Sequence, residues 1–230
     1  MIKNKKIIAI VLARAGSKSV KNKNVHKIKG IPLIGYTGRI IKKIKFIDYS
    51  VVSTDSYKIG EISKKFGLNF FFKRPKNLSG DRVPDIAPLR HALIQAERQK
   101  KMKFDIILSL PPTSPLREKK DVVDCVRKIV NKKFDSVWTI SKIDTKYHPE
   151  KQLKINKNKL FYYHKNGPKV VARQQLKDLY YRNGAAYAMT RNCLMNKKKL
   201  ITDNSSFVIT KSVQVSIDSY SDITKVSKLI

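Results

Sequence analysis

Residues 7–12, IIAIVL, are an unbroken apolar run close to the start of the chain. A strand with one face in water alternates, so a continuous run requires cover on both faces, as in a parallel sheet sandwiched by helices. The segment that follows, ARAGSKSVKNKN (13–24), is polar and carries Arg14, Lys18, Lys21 and Lys23 around one glycine, Gly16. It fits neither Gly-x-x-x-x-Gly-Lys-Ser/Thr nor Gly-x-Gly-x-x-Gly. A solvated basic loop and an anion seat are both open to such a segment. The order Arg14, Gly16-Ser17-Lys18, Lys23-Asn24 favours the seat. One glycine lets backbone N–H groups approach an anion, and Arg and Lys neutralise it from two sides.

The rest of the chain alternates strand and helix signals. IPLIGYTGRIIKKI (31–44) has helical spacing behind Pro32, DYSVVSTD (48–55) reads as a strand, and YKIGEISKKFG (57–67) as a helix closed by Gly67. A third strand is expected at 68–75, LNFFFKRP, stopped by Pro75. A helix follows at 84–100, then a strand within 104–117 that runs into a proline-rich turn. A helix at 120–130 and a strand at 135–141 complete the regular part. Residues 142–183, rich in Lys, Tyr and Asn, read as a small β-rich excursion, a flap or dimerisation element. GAAYAMT (184–190) returns as a strand, VQVSID (213–218) is the expected last core strand, and SDITKVSKLI closes as a helix. The pattern predicts a single α/β domain over residues 1–230 with a mostly parallel central sheet.

Composition narrows function less than it first suggests. Fifty Lys+Arg against 17 Asp+Glu give a net charge of +33, which would suit a polyanionic partner such as nucleic acid or an acidic membrane. Lys far outnumbers Arg and is spread over the whole chain, without the clustered Arg/Lys and interleaved aromatics of a nucleic-acid site. Compositional drift, with anionic small substrates drawn by the field, is the preferred reading. Cys125 and Cys193 make neither a disulfide framework nor a metal site. MIKNKK followed by IIAIVLA lacks a cleavage site, and no run has transmembrane length. A cytoplasmic protein is expected.

In an open α/β sheet, ligands sit outside the carboxyl ends of the strands. That rule gathers the 13–24 loop, Ser53-Thr54-Asp55, Pro111–Arg117 and Ser216-Ile217-Asp218. With KGIPLIGYT, VSTDS, KRPKNLSGD, LPPTSPLR, RNGAAYA and SIDSYSD following in order, the chain resembles the CMP-sugar synthetases, specifically the acylneuraminate cytidylyltransferases. The resemblance runs from about residue 7 to the C-terminus. It implies a Rossmann-like nucleotidyltransferase fold, usually dimeric. The implied reaction moves CMP from CTP to the anomeric hydroxyl of a nonulosonic acid and releases pyrophosphate with Mg²⁺.

By position, the resemblance places Arg14, Ser17, Lys18, Lys23 and Asn24 on the CTP phosphates, and Arg74 and Asp81 on the nucleotide. Arg14, Lys18, Lys23 and Asp218 carry the catalytic assignment, and the general base is unassigned. Where the family has Asp-Ile-Asp for the metal, this chain reads Ser216-Ile217-Asp218, so Asp218 is the expected Mg²⁺ ligand; capping of the final helix is its alternative role. Pro111 stands where the family has a sugar-binding Gln, with Thr113, Ser114 and Arg117 retained. Asp85 stands where a Ser often meets the cytosine, and a carboxylate can accept from the cytosine amino group. Ser19 replaces a loop glycine, which requires that this position avoid positive φ. Arg173, Arg182 and Lys142 are the expected cations for the sugar carboxylate, and His148 resembles a His-Pro pair beside the sugar pocket. Within the class, legionaminate, pseudaminate or Kdo are alternative sugars. From another class, a basic nucleic-acid-binding or regulatory module on a decayed synthetase fold is the alternative, although a nucleic-acid partner is not favoured.

Overall fold

A computed structural model describes residue 2 and residues 4–230. A six-stranded sheet is built from β1 (Ile7–Leu12), β4 (Tyr49–Ser53), β5 (Ile106–Ser109), β6 (Ser136–Lys142), β9 (Tyr180–Thr190) and β10 (Ser205–Ile209). Two short strands, β2 (Lys27–Ile28) and β3 (Ile31–Pro32), pair with each other. A hairpin of β7 (Leu153–Asn156) and β8 (Lys159–Tyr162) stands apart. The helices are α1 (Leu33–Lys42), α2 (Tyr57–Lys65), α3 (Ile86–Lys100), α4 (Lys119–Lys132) and α5 (Tyr220–Leu229). Sheet order is β10-β6-β9-β5-β1-β4, parallel except for β9, which runs antiparallel to both β5 and β6.

The apolar run of β1 is covered on both faces, as its sequence requires. Ile7, Ala9 and Val11 point into one core with Ile34 and Ile41 of α1, Ile59 of α2 and Val122, Cys125, Val126 and Ile129 of α4. Ile8 and Ile10 point into the other, with Leu89, Ala92, Leu93 and Ala96 of α3. Helices therefore flank the sheet on both sides. Cys125 is buried on α4 and Cys193 against the second core, and burial pushes both thiols up.

Two expected strands are absent. Residues 68–75 make only a single bridge, Asn69 with Val51. Beyond it Phe70 turns into one core and Phe71 and Phe72 into the other. The chain then returns to the sheet end through Arg74 N–H, which donates to Thr54 C=O at 2.8 Å. Residues 213–218 have no ladder partner, because β10 already fills the edge beside β6. They run instead past the proline-rich turn, where Ile217 N–H donates to Thr113 C=O at 2.8 Å.

The chain leaves the main sheet after Lys142 and rejoins it at Tyr180, where β9 begins, earlier than the expected Gly184. β7 and β8 are exposed along their whole length. Their turn places Lys157 and Asn158 at φ 44° and 63°, the backbone of a two-residue hairpin whose twist matches its strands.

Candidate active site

β1 has parallel neighbours on both sides, β4 and β5, so the chain reverses its direction of travel across the sheet at β1. A crevice at such a switch point lies outside the carboxyl ends of the strands. Here it opens above Leu12, Ser53 and Ser109. The cleft measures ≈ 210 Å³ and is lined by Arg14, Ser17, Lys23 and Asn24 of the basic loop, Arg74 and Asp85 of the next connection, and Pro111, Pro112 and Thr113 of the turn after β5. A larger groove of ≈ 740 Å³ lies at the opposite end of the sheet beside Lys6 and Asp48, away from every one of these residues.

The loop is fixed by its own polar groups. Val20 is buried. Asn24 Nδ2 donates to Arg14 C=O at 2.9 Å, and Ala15 N–H donates to Asp55 Oδ1 at 2.8 Å. Arg14 Nη1 donates to Gly16 C=O at 2.6 Å, which folds the guanidinium back over the glycine. Ser19 is not among the positive-φ residues; Asn22 takes the left-handed conformation instead, at φ 55°, ψ 35°. Asn enters that region more readily than most residues, so the loop turns without its second glycine.

Arg14, Lys18 and Lys23 of the loop are paired. Arg14 Nη2 and Lys18 Nζ reach the two oxygens of Asp81 at 2.5 and 2.8 Å, and the hydrogen bond from Lys18 holds that carboxyl below the usual carboxylate range. Lys23 Nζ, largely buried, donates to Ile217 C=O at 3.0 Å and to Asp218 Oδ1 at 2.9 Å. The same lysine thus joins the loop to the segment expected to hold metal. Asp218 is free of the capping role, since Ser219 caps α5 in a reciprocal pair with Asp222. Ser216 Oγ lies 3.5 Å from Asp218 Oδ2. Among the described residues no three His, Cys, Asp or Glu side chains gather into a metal-binding group. Asp218, with its side chain 76% exposed, can offer Mg²⁺ one carboxylate. Mg²⁺ is commonly held by one or two carboxylates together with substrate phosphates and water, so the donor set fits that limited form.

Arg74 is buried under the cleft. Its Nη2 donates to Ser53 C=O at 2.9 Å, while its Nε and the Ser53 hydroxyl have no partner among the described residues. Burial pulls its pKa down, against the attraction of Asp55 and Asp85. His91 of α3 sits close by, edge-on to Phe72, with Nδ1 unpartnered; burial and the Arg74 charge lower its pKa. Linear sequence gave no reason to single out His91.

The expected sugar-side residues divide. Thr113 lines the cleft. Ser114 is buried behind it, facing Gly184, whose φ is +74° and where a Cβ would stand 2.6 Å from Ser114 Oγ. Arg117 is buried too, and its donors go to Ala185 C=O, to Thr37 Oγ1 at 3.1 Å, to Pro111 C=O at 2.6 Å and to Gly184 C=O at 3.3 Å. Burial brings its pKa down to about 9, against the attraction of Asp121. It clamps the PPTSP turn onto β9 rather than facing the cleft. Lys142 pairs with Asp178 at 2.6 Å, and Arg173 is exposed on the excursion near Asp144. Arg182 is exposed on β9, close enough for its charge to act on Tyr187. None of these three lines the cleft. His148 is buried in the excursion, its Nδ1 accepting from Glu150 N–H at 3.2 Å.

Comparison with known proteins bears on all of this. Post-translational flagellin modification protein B of Campylobacter coli is 30% identical over 225 residues, 97% of this chain and 94% of that one. The CMP-N,N'-diacetyllegionaminic acid synthase of Campylobacter jejuni has the same identity and the same coverage. Among solved structures, CMP:2-keto-3-deoxy-manno-octonic acid synthetase complexed with CTP superimposes with a TM-score of 0.70 at 16% identity, covering 97% of this chain and 98% of that one, which shows a common fold. The family described as cytidylyltransferase matches residues 8–221. That match runs from the second residue of β1 into α5 and takes in every segment that lines the cleft, so the chain belongs to the cytidylyltransferase family and is a nucleotidyltransferase.

Proposed function

We propose that the protein transfers CMP from CTP to the anomeric hydroxyl of a nonulosonic acid, releasing pyrophosphate. The observation that carries this reading is the joining of the basic loop to Asp218 through Lys23. Lys23 lines the cleft and Asp218, its partner, lies just beyond the lining, so on this reading the triphosphate seat and a single-carboxylate metal position are neighbours. In the reaction the hydroxyl oxygen bonds to the α-phosphorus, the bond from that phosphorus to the α–β bridging oxygen breaks, and the hydroxyl proton leaves to solvent. Such transfers depend on positioning and on neutralising spreading negative charge more than on covalent help from protein. Arg14, Lys18 and Lys23 meet the β- and γ-phosphates, while Ser17 and Asn24 orient them. Arg74, with an unpartnered Nε at the cleft floor, and Asp85 at its rim meet the nucleoside. Asp218, with phosphate oxygens and water, would hold Mg²⁺, which when bound would supply further charge neutralisation at the phosphates.

On the sugar side, Thr113 is the one expected residue that lines the cleft directly. Arg173 and Lys142 reach a sugar carboxylate on this reading only across a second copy of the chain. Support for a homodimer comes from the hairpin, where Leu153, Ile155, Leu160 and Tyr162, cross-paired on one face, are 52%, 77%, 63% and 50% exposed. An isolated two-stranded hairpin is marginal in water, and a contiguous apolar patch marks an interaction site. Replacing Ile155 and Leu160 together by Lys is expected to convert a dimer to a monomer in sedimentation velocity; a monomeric parent would refute the dimer.

The deciding assay measures pyrophosphate released from CTP and Mg²⁺ with N-acetylneuraminate, N,N'-diacetyllegionaminate, pseudaminate and Kdo. Release with at least one acid is expected. Failure with all four, together with steeply salt-dependent binding of duplex DNA, would favour the basic-module reading instead.

A further inference from the structure

Asp81 stands in an unusual place for a carboxylate. Its two oxygens take Arg14 Nη2 and Lys18 Nζ at 2.5 and 2.8 Å, so it accepts from the loop as two oxygens of one phosphate would. The Lys18 side chain is 85% exposed, and among the described residues no other ion pair or side-chain hydrogen bond holds its ammonium there. Asp81 itself lies in a turn between the short helical turn Lys76–Leu78 and α3, outside the sheet and the helices. The same connection ends in Asp85 at the cleft rim.

Resting on the reading of this loop as the triphosphate seat, we infer that Asp81 is an internal occupant of that seat, which a polyphosphate must displace, and that it thereby sets the preference of the site for triphosphate over shorter phosphates. An attached competitor acts at high effective concentration. Orthophosphate, or a single ester phosphate, offers little more than the carboxylate it replaces. A triphosphate also reaches Lys23, and its larger charge outcompetes the single charge of Asp81. Return of Asp81 to Arg14 and Lys18 after transfer would help to expel pyrophosphate. A carboxylate that merely supported the loop would behave oppositely, since its removal would weaken every phosphate ligand.

The test is calorimetric titration of tripolyphosphate, pyrophosphate and orthophosphate into the full chain and into Asp81→Asn and Asp81→Ala. Two partly exposed ion pairs are released in each variant, so tripolyphosphate should bind about three- to tenfold tighter. Pyrophosphate and orthophosphate should gain more than tripolyphosphate, which also holds Lys23, so the discrimination narrows; an equal gain for all three would overturn the role of Asp81 in setting the preference. The two substitutions differ in shape and share only the lost charge, so agreement between them separates charge from a folding defect. Unchanged or weaker binding of tripolyphosphate in both variants would overturn the inference. Arg14→Ala and Lys18→Ala are the loop controls. If neither weakens tripolyphosphate binding, the loop is not the phosphate seat, and both that reading and this inference fall. If they weaken it while the Asp81 variants show no gain, the seat stands and this inference alone falls.

Discussion

Arg117 separates a ligand-binding role from a scaffolding one, because the two roles predict different measurements. Its guanidinium is buried and donates to the carbonyls of Pro111, Gly184 and Ala185 and to the Thr37 hydroxyl. Arg117→Met keeps length and apolar stem but leaves the interior carbonyls of Gly184 and Ala185 without that donor, while Pro111 C=O keeps a long bond from Ser114 N–H at 3.4 Å. A buried group left unsatisfied costs about 1–3 kcal/mol. Taking the low end for each of the two, because relaxation and the relief of a desolvated cation offset part of it, gives a loss of about 2 kcal/mol. For a chain of this size that lowers Tm by about 4–8 °C. Thermal unfolding in the absence of any ligand reads it directly. Arg117→Lys, with one compact ammonium in place of a planar fork, should recover less than half of the loss. Because the clamp sets the PPTSP turn, kcat should fall together with a rise in KM for the sugar acid. A variant with ligand-free Tm within about 2 °C of the parent and a raised KM for the sugar acid alone would refute the scaffolding argument, and would return Arg117 to the role that the sequence resemblance implied.

Glu97 is buried with Arg191 Nε and Nη2 at 2.8 and 3.0 Å and Phe104 N–H at 3.2 Å. Burial alone would raise its pKa, but Arg191, Phe104 and Lys103 outweigh it and hold it below the ordinary value of 4.5. A depressed carboxyl stabilises the folded state above its unfolded pKa and loses that contribution as pH falls through the folded one. The Tm of the parent should therefore drop on acidification below about pH 4.5, whereas Glu97→Gln should start lower at pH 7 and show a shallower acid slope; equal slopes would exclude Glu97 as the cause. Ser216→Asp should lower the Mg²⁺ concentration for half-maximal pyrophosphate release several-fold by offering a second carboxylate beside Asp218, and an unchanged Mg²⁺ titration would place the metal elsewhere.

How far the sequence reveals the fold depends on whether a segment's partners are near in sequence. IIAIVL can only be a strand covered on both faces, and α1, α2 and α4 announce themselves by helical spacing. Two segments with strand-like side chains are not strands, each for its own reason. VQVSID alternates apolar and polar residues more cleanly than SSFVI (205–209), yet SSFVI is the strand, because it pairs in parallel with Ser136–Ile140. That pairing is decided by which segment reaches the sheet edge, and side-chain period carries no information about it. LNFFFKRP was read as a strand from its β-rich composition. The structure spends those aromatics on both cores and keeps only one bridge.

The site divides along the same line, and the division has a chemical meaning. Local order was enough to find the loop, because Arg14, Gly16, Ser17, Lys18, Lys23 and Asn24 lie within one connection. What each cation touches was not legible. Lys23 meets Asp218 across 195 positions and Arg117 meets Ala185 across 68. These contacts decide function in opposite directions. A cation bound to a carboxylate that solvent reaches, as Lys23 is to Asp218 and Lys18 to Asp81, can exchange that partner for a phosphate, since the carboxylate can swing into water and such a pair is weakly stabilising. A guanidinium buried among backbone carbonyls cannot exchange without exposing them. The distinction between Lys18 and Arg117 is therefore one of exchangeable against committed donors. Residue type is blind to it: both are cations in a resembling motif, and of the two Lys18 alone has a partner that a solvent-borne anion could replace.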